Sequence, residues 1–403
     1  MYILQPSLFS FDELMKYEPE TRLRKIFSTL DLNALTDRIP KAAVGRNGYR
    51  ASDMIRALIA KQIEGIPCIK RLAERLKTDP IFRYVCGFKV IGSTPDESTF
   101  SRFFQRLSQN DSLLEYFDLL VQKAIAAGVI EGNTIAIDSS EIDAYEKPLP
   151  KKKLVNDGQN AHWGAKRDSD GNQIKWFGYK LHLACDTKSE LPMALALTPA
   201  NVYDSEMAIP IIKDLAQKQG DVIHPKYYVM DAGYDAKEIY RYIWQDQNAS
   251  AIIPLNNRGS KQPPEGMDYN GTPVCSAGYP MIHWGYDSKT KTNKFRCPHI
   301  LGKKNCPYGS NWCSTSNYGM VIKTKIDEDP RRHCSPHRGT AKWQKLYNKR
   351  TAVERCFSRL KEYLSANNIK VRGIRKVTTH LLLNCIALIA GSMVTNHSAV
   401  AAA

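Results

Sequence analysis

The 403-residue chain lacks any unbroken apolar run of the ~18 residues that a bilayer-crossing helix needs, even across 381–394. Nor does it open on a basic region followed by an apolar core, so no secretory signal is expected. No internal repeat is visible, which argues against a solenoid or a propeller. Acid is scarce: 41 Asp and Glu stand against 57 Lys and Arg, a formal net charge of +16. These absences leave a soluble, intracellular protein of two or three domains. Its 43% apolar share is ordinary for a globular chain, and its basic balance suits phosphate-rich partners.

The positive excess is concentrated. Residues 341–376 hold eleven Lys or Arg against Glu354 and Glu362, a net +9 in one short stretch. Cysteine is concentrated too. Five of the ten (Cys275, Cys297, Cys306, Cys313 and Cys334) fall within 60 residues, and a reducing compartment disfavours disulfides there. A compact pair of CxxC motifs is missing. Even so, Cys297-x-His299-x6-Cys306-x6-Cys313, with Cys275 upstream, offers enough soft ligands for a structural Zn²⁺. The expected set is Cys275, Cys297, Cys306 and Cys313; the alternative is unligated thiols in a packed subdomain.

Amphipathic periodicity predicts helices near 11–30, 51–64, 68–77, 97–108 and 112–127. Thr94-Pro95-Asp96-Glu97 reads as a helix start with Thr94 as the cap. Lys61, Lys70, Arg71, Arg75 and Lys77 lie between short helices, as in a helix-turn-helix; a helical packing domain with solvated charges is the plainer reading. After Gly132 the pattern changes to short strands ending at Asp138, at 176–186 and at 191–198. A polar loop is expected at 147–173. A helix at 205–219, a strand ending at Asp231, a helix at 235–247 and a strand at 250–254 follow. This alternation predicts an α/β domain with a mixed sheet. Residues 255–340, rich in Gly, Pro, Cys and Tyr, read as a β- and loop-rich insertion, and helices return at 341–365 and 374–395. The expected division is a helical N-terminal DNA-binding domain (1–130), a first catalytic segment (131–254), the insertion (255–340) and a C-terminal catalytic segment (341–403).

Asp138 and Asp231 each end a strand after an apolar approach, TIAID and KYYVMD. Carboxylates at the carboxyl ends of neighbouring strands face a common crevice, although a strand-ending Asp also serves as a cap or turn former. With Tyr347 set at zero on an ideal helix, Arg350, Glu354 and Lys361 fall at about 300°, 340° and 320°. Leu346, Val353, Phe357, Leu360 and Leu364 form a separate apolar stripe beside them. The plain alternative is an Arg350–Glu354 salt bridge on an amphipathic helix. Asp143, Asp204 and Asp235 are further carboxylates nearby; Asp204 reads as a helix cap.

Tyr347-x2-Arg350-x3-Glu354-x6-Lys361 matches the Y-x2-R-x3-E-x6-K signature of bacterial insertion-sequence transposases of the DDE class. IAIDSSEIDA around Asp138, VMDAGYD around Asp231, GYKLH at 178–182, LTPANVYD at 197–204 and PDESTFSRFFQRL at 95–107 also resemble segments of that group. The resemblance covers almost the whole chain. It implies an RNase H-like catalytic fold, interrupted by a β-rich insertion and preceded by an all-helical domain. It further implies that Asp138, Asp231 and Glu354 hold two Mg²⁺ (or Mn²⁺) ions for DNA phosphodiester chemistry. Tyr347, Arg350 and Lys361 would then grip phosphates. If the strand at 176–186 neighbours that of Asp138, Lys180 and His182 would approach DNA from it; strand-edge solvation is the plainer reading. Trp284 and Trp312 suit core packing, or stacking on a flipped base. The partners implied are double-stranded DNA, as terminal inverted repeats and target, and a second copy of the chain in a synaptic homodimer. No membrane is involved, and a cytoplasmic, nucleoid-associated protein is expected. The alternatives are an RNase H-like endonuclease without strand transfer and a non-enzymatic DNA-binding protein. Glu354 disfavours the latter, since an acid among eleven cations weakens phosphate binding unless a metal sits on it.

Overall fold

In the computed structural model the described residues are 21–39, 48–148, 161–167, 170–256, 262–309 and 311–402, with a few single positions before residue 21. The N-terminal part of the helix expected at 11–30 and the tip of the loop at 149–160 lie outside them. Among the described residues up to 126, all regular structure is helical: α1 (Arg22–Thr29), α2 (Asn33–Thr36), α3 (Ala51–Ile63), α4 (Ile69–Thr78), α5 (Pro80–Val85), α6 (Glu97–Leu107) and α7 (Ser112–Ala126). Side chains fix several starts. Thr21 caps α1, and Asp79 caps α5, which has Pro80 at its first position. Asp96, not Thr94, caps α6; its carboxylate accepts from the Thr99 amide at 2.7 Å, so the helix begins two residues later than the Thr94-Pro95 pattern suggested.

The sheet that follows holds β1 (Thr134–Asp143), β2 (His162–Arg167), β3 (Gln173–Asp186), β4 (Pro192–Pro199), β5 (Tyr227–Val229) and β6 (Ser250–Ile252). Helix α8 (Asp204–Gln219) joins β4 to β5, and the short α9 (Lys237–Arg241) lies between β5 and β6. The strand order is β2-β3-β1-β5-β6, with β4 on the same edge of β3 as β2, opposite β1. Strands β1, β3 and β4 run antiparallel, while β5 and β6 run parallel to β1. A long antiparallel hairpin feeding two parallel strands is a mixed sheet that fits the expected RNase H-like arrangement. Strand β2 falls where a polar loop was expected. Its sequence, HWGAKR, shows no apolar alternation; it forms because β3 runs past the end of β4 at Tyr179 and leaves residues 173–178 of that edge, opposite β1, free for pairing.

Residues 262–340 carry a second, three-stranded antiparallel sheet of β7 (Ile282–Asp287), β8 (Thr292–Arg296) and β9 (Val321–Lys325). Its small core is Cys275, Met281 and Phe295. Trp284 and Trp312 are not part of it. Each is about half exposed, Trp284 against the Arg296 guanidinium and Trp312 stacked on Tyr308.

Residues 341–363 are continuously helical but not uniformly α. Helix α10 (Ala341–Tyr347) passes through a 3₁₀ turn at Asn348–Arg350 into α11 (Thr351–Ser358), which ends in a π turn at Arg359–Tyr363. Helix α12 (Ile374–Ala402) completes the described chain. Within Ile374–Thr395 it is long and apolar enough, by length and composition, to cross a membrane, although no unbroken apolar run spans it, and most of that stretch is buried within the protein. Leu381, Leu383, Ile386 and Ile389 are among its core side chains.

The chain divides into two compact units, and the division differs from the expected boundaries. One unit comprises 1–120, 363–366 and 379–403; the other comprises 121–362 and 367–378. The distal part of α12 therefore belongs with the N-terminal helices, where His380 meets Gln62 at 3.3 Å.

Candidate active site

Apolar residues at 135–137 are fully buried, which holds the first half of β1 rigidly in the sheet. Ala136 pairs with Val229 of parallel β5. Two residues further on each chain stand Asp138 and Asp231. Asp138 lies within β1, which runs on to Asp143 instead of ending at the acid as expected, while Asp231 lies just past the end of β5, so the two acids occupy matching positions beyond the Ala136–Val229 pair. Asp231 is fixed by its own turn. Its Oδ1 accepts from the Gly233 amide at 2.8 Å, and a Cβ on Gly233 would stand 2.9 Å from that oxygen, so glycine permits this close approach. Asp138 Oδ1 accepts from the Ser139 amide at 2.8 Å.

The third acid arrives from α11. That helix packs against β1 and β3, with the Cys356 thiol meeting Cys185 of β3, whose pairing partner in β1 is Ala136. Arg355 is tied to Glu190 in the β3–β4 turn at 2.6 Å. These anchors orient the neighbouring Glu354. Arg350 then joins the acids: Nη1 lies 3.0 Å from Asp138 Oδ2 and Nη2 lies 2.6 Å from Glu354 Oε1. The i,i+4 salt bridge that served as the plain alternative is present, and the same guanidinium reaches across to β1.

Burial, then the charge of Asp231, pushes Asp138 up to about 7, against the opposing pull of the Ser139 amide and Arg350. Asp231 is raised as well, chiefly by burial, with Asp204 adding to the shift. Buried Tyr234 lies in the field of Asp138, Asp204 and Asp231, and among the described residues its hydroxyl has no hydrogen-bond partner. A crowded set of hard carboxylate oxygens that resists ionisation is chemically suited to divalent cations. Arg350 stands between Asp138 and Glu354, and among the described residues no three His, Cys, Asp or Glu converge closely enough to hold a metal ion.

The other expected residues are placed differently. Tyr347 stacks on Trp343 (5.1 Å between centroids, 13° between planes) and packs against the cluster of Val229, Ile252, Cys334, Trp343 and Leu346. His182 is fully buried and bonded to Thr198 at 2.8 Å, which removes it from any DNA-facing surface. Lys180 Nζ is spent on the Val202 carbonyl at 2.9 Å and Asp204 at 3.0 Å. Lys361 lies 3.7 Å from Glu141. The four cysteines expected to bind zinc are free and do not converge: Cys275 packs with Met281 and Phe295, and Cys297 lies under Gly319.

Asp204 is the residue that sequence reasoning passed over. It is the first residue of α8, and its side chain makes no cap. Its carboxylate instead accepts from Ser139 Oγ at 2.8 Å and Lys180 Nζ at 3.0 Å, and its charge acts on both Asp138 and Asp231. An Asp at a helix start is so common that no local signal marked it; its partners lie 65 and 24 residues away.

The transposase DDE domain matches residues 131–390, and the transposase domain (DUF772) matches residues 12–106. Among solved structures, the chain is similar to piggyBac transposase in a cryo-EM synaptic complex with hairpin DNA. That likeness has 11% identity and a TM-score of 0.42, covering 96% of this chain and 76% of that one. With the DDE domain matched over more than half of its length, the chain belongs to the DDE transposase family.

Proposed function

We propose that Asp138, Asp231 and Glu354 are the catalytic acids of a transposase in the group carrying the Tyr-Arg-Glu-Lys helix signature. Family membership makes the chain an enzyme of DNA transposition that cleaves DNA and transfers strands, and favours that reading over a plain nuclease or a DNA-binding protein. The observation that carries the residue assignment is the joint placement of the acids. Asp138 within β1 and Asp231 just past the end of adjacent parallel β5 stand at matching positions, and one guanidinium links the first to the third.

Divalent-metal dependence comes with the family. Two Mg²⁺ or Mn²⁺ ions held by these carboxylates would acidify an attacking water or 3′-hydroxyl and stabilise the leaving oxygen. The protein's own groups supply the rest. Asp138, paired with Arg350 and within the field of Asp231, would be one of the residues that hold the ions. Arg350 presents a planar fork of donors, suited to a phosphate oxygen once the carboxylates are otherwise neutralised. Ser139, Lys180 and Asp204 hold the end of β1 and the start of α8 in fixed relation, and so act as positioning residues.

The helical segment before residue 130 is assigned to DNA binding, terminal inverted repeats and target DNA to its substrates, and a homodimer to the synaptic state. The assignment of the acids is tested by Asp138→Asn, Asp231→Asn and Glu354→Gln. Each should lower Mg²⁺-dependent cleavage of an element-end duplex by about 10³-fold or more, with duplex binding retained in fluorescence anisotropy. A Glu354→Gln protein that still excises an element would sink it.

A further inference from the structure

Three residues beyond Asp138 on β1, Glu141 is held between two lysines from different elements. Lys166 of β2 places Nζ 2.6 Å from one carboxylate oxygen, and Lys361, from the π turn after α11, places Nζ 3.7 Å from the other. Lys361 is four-fifths buried. Burial lowers its proton affinity first of all, the charge on Lys166 lowers it further, and Glu141 opposes both. Two ammonium groups share this carboxylate, and Asp143, two residues further on, also acts on Lys361. Four residues further on, the half-exposed Tyr145 ring has Lys370 Nζ 5.5 Å and Arg372 Cζ 5.6 Å from its centroid. At most about 13 Å of chain separates Glu141 from Tyr145, comparable to the axial rise of about four nucleotides in one DNA strand.

Four cations brought from β2, the π turn and the segment before α12 to the stretch Glu141–Tyr145, two of them drawn toward a single carboxylate, are more than a solvated surface needs. Exposed ion pairs contribute little to stability, and gathering like charges is unfavourable without an anion to share. We propose that Lys166, Lys361, Lys370 and Arg372 line the path of a DNA phosphodiester backbone leaving the catalytic acids. Glu141 occupies the first phosphate subsite on that path as an internal stand-in, and DNA displaces it. The proposal rests on the catalytic assignment above, extends it to residues outside the signature helix, and gives Glu141 an inhibitory role. A carboxylate and a phosphodiester each present two anionic oxygens to a pair of ammonium donors, so the exchange leaves both lysines satisfied.

The test is binding of a fluorescein-labelled, random-sequence DNA duplex, measured by anisotropy across a salt series in EDTA, because backbone contacts carry no sequence information. Glu141→Gln keeps the side-chain shape and frees the lysine pair. It should bind about three- to tenfold tighter, with a log–log salt slope steeper by about one. Lys166→Ala should weaken binding and lower the slope by about one, and in combination with Glu141→Gln it should abolish the gain. The exposed double variant Lys370→Ala/Arg372→Ala, which disturbs no core, should also weaken binding. Unchanged or weaker binding by a folded Glu141→Gln protein would overturn the stand-in role. Unchanged affinity and salt slope in the Lys370/Arg372 variant would overturn the path. Mg²⁺-dependent cleavage by the wild-type protein is assayed separately. If it persists while these variants behave like wild type, the inference fails and the catalytic assignment stands; if wild type neither binds nor cleaves DNA, both fail.

Discussion

Arg350 supplies the positive charge at the junction of Asp138 and Glu354, while Asp204 adds a fourth negative charge from the far side of β1. Asp204 touches none of the three acids through a hydrogen bond, yet it fixes Ser139, the neighbour of Asp138, and engages Lys180. Asp204→Asn is therefore expected to lower cleavage about 10- to 100-fold, the usual cost of losing a supporting partner, with duplex affinity little changed. A parallel fall in affinity would argue for a DNA contact instead. His182 gives a second prediction at this scale. Burial pushes it down to about 4, so the folded protein favours the neutral ring. That preference contributes stability above the ordinary histidine value of about 6.5, and the contribution is lost as pH falls toward 4, by of order 3 kcal/mol. Thermal unfolding measured from pH 7 to 4 should show this slope. His182→Gln should flatten part of it, the remainder coming from buried His337 and His380. Asp138 and Asp231 were legible in the sequence because each ends an apolar run. His182 was misplaced because alternation alone does not say which face of a two-sided strand is covered.

Among the elements, the helical stretch 341–363 was read as one ideal helix, and its apolar side survived the simplification. Leu346, Val353, Phe357, Leu360 and Leu364 are all buried. The 3₁₀ turn winds tighter than an α-helix and the π turn winds looser, so their angular errors are of opposite sign and partly cancel. The polar side fared less well, since Tyr347 stacks on Trp343 while Arg350 faces the acids. Pairing of distant segments was illegible for a different reason. Strand β2 exists only because β3 offers it an edge, which no local pattern announces. The anchoring of the insertion is similarly non-local. Fully buried Asp235 takes Arg331 through both carboxylate oxygens, at 2.8 and 2.5 Å, together with Tyr240 and the Asn256 amide. Asp235→Ala leaves the cation and these donors unmatched, and should destabilise the protein by about 3–5 kcal/mol in urea unfolding. A change below about 1 kcal/mol, the range of exposed pairs, would show that the ion pair is not what holds the insertion.

On the scale of the whole molecule, composition and the alternation of strand and helix gave the mixed sheet, while the domain boundaries had to come from contacts. The N-terminal unit includes the distal part of α12, with His380 on Gln62 and Gly391 close to Ile26. A fragment ending at residue 120 therefore lacks part of its own core. Circular dichroism should find it reduced in helicity and without a cooperative melt, and co-expression with 363–403 should restore both. A cooperatively folded 1–120 fragment would contradict this division.

That division also orders events during synthesis. The ribosome emits residues 1–120 roughly 260 residues before Thr379, a delay of some tens of seconds at ~5–20 residues per second. Throughout that interval the intervening catalytic segment can fold, while the N-terminal helices await a helix not yet translated. Chains that terminate early would then carry an unfinished N-terminal unit.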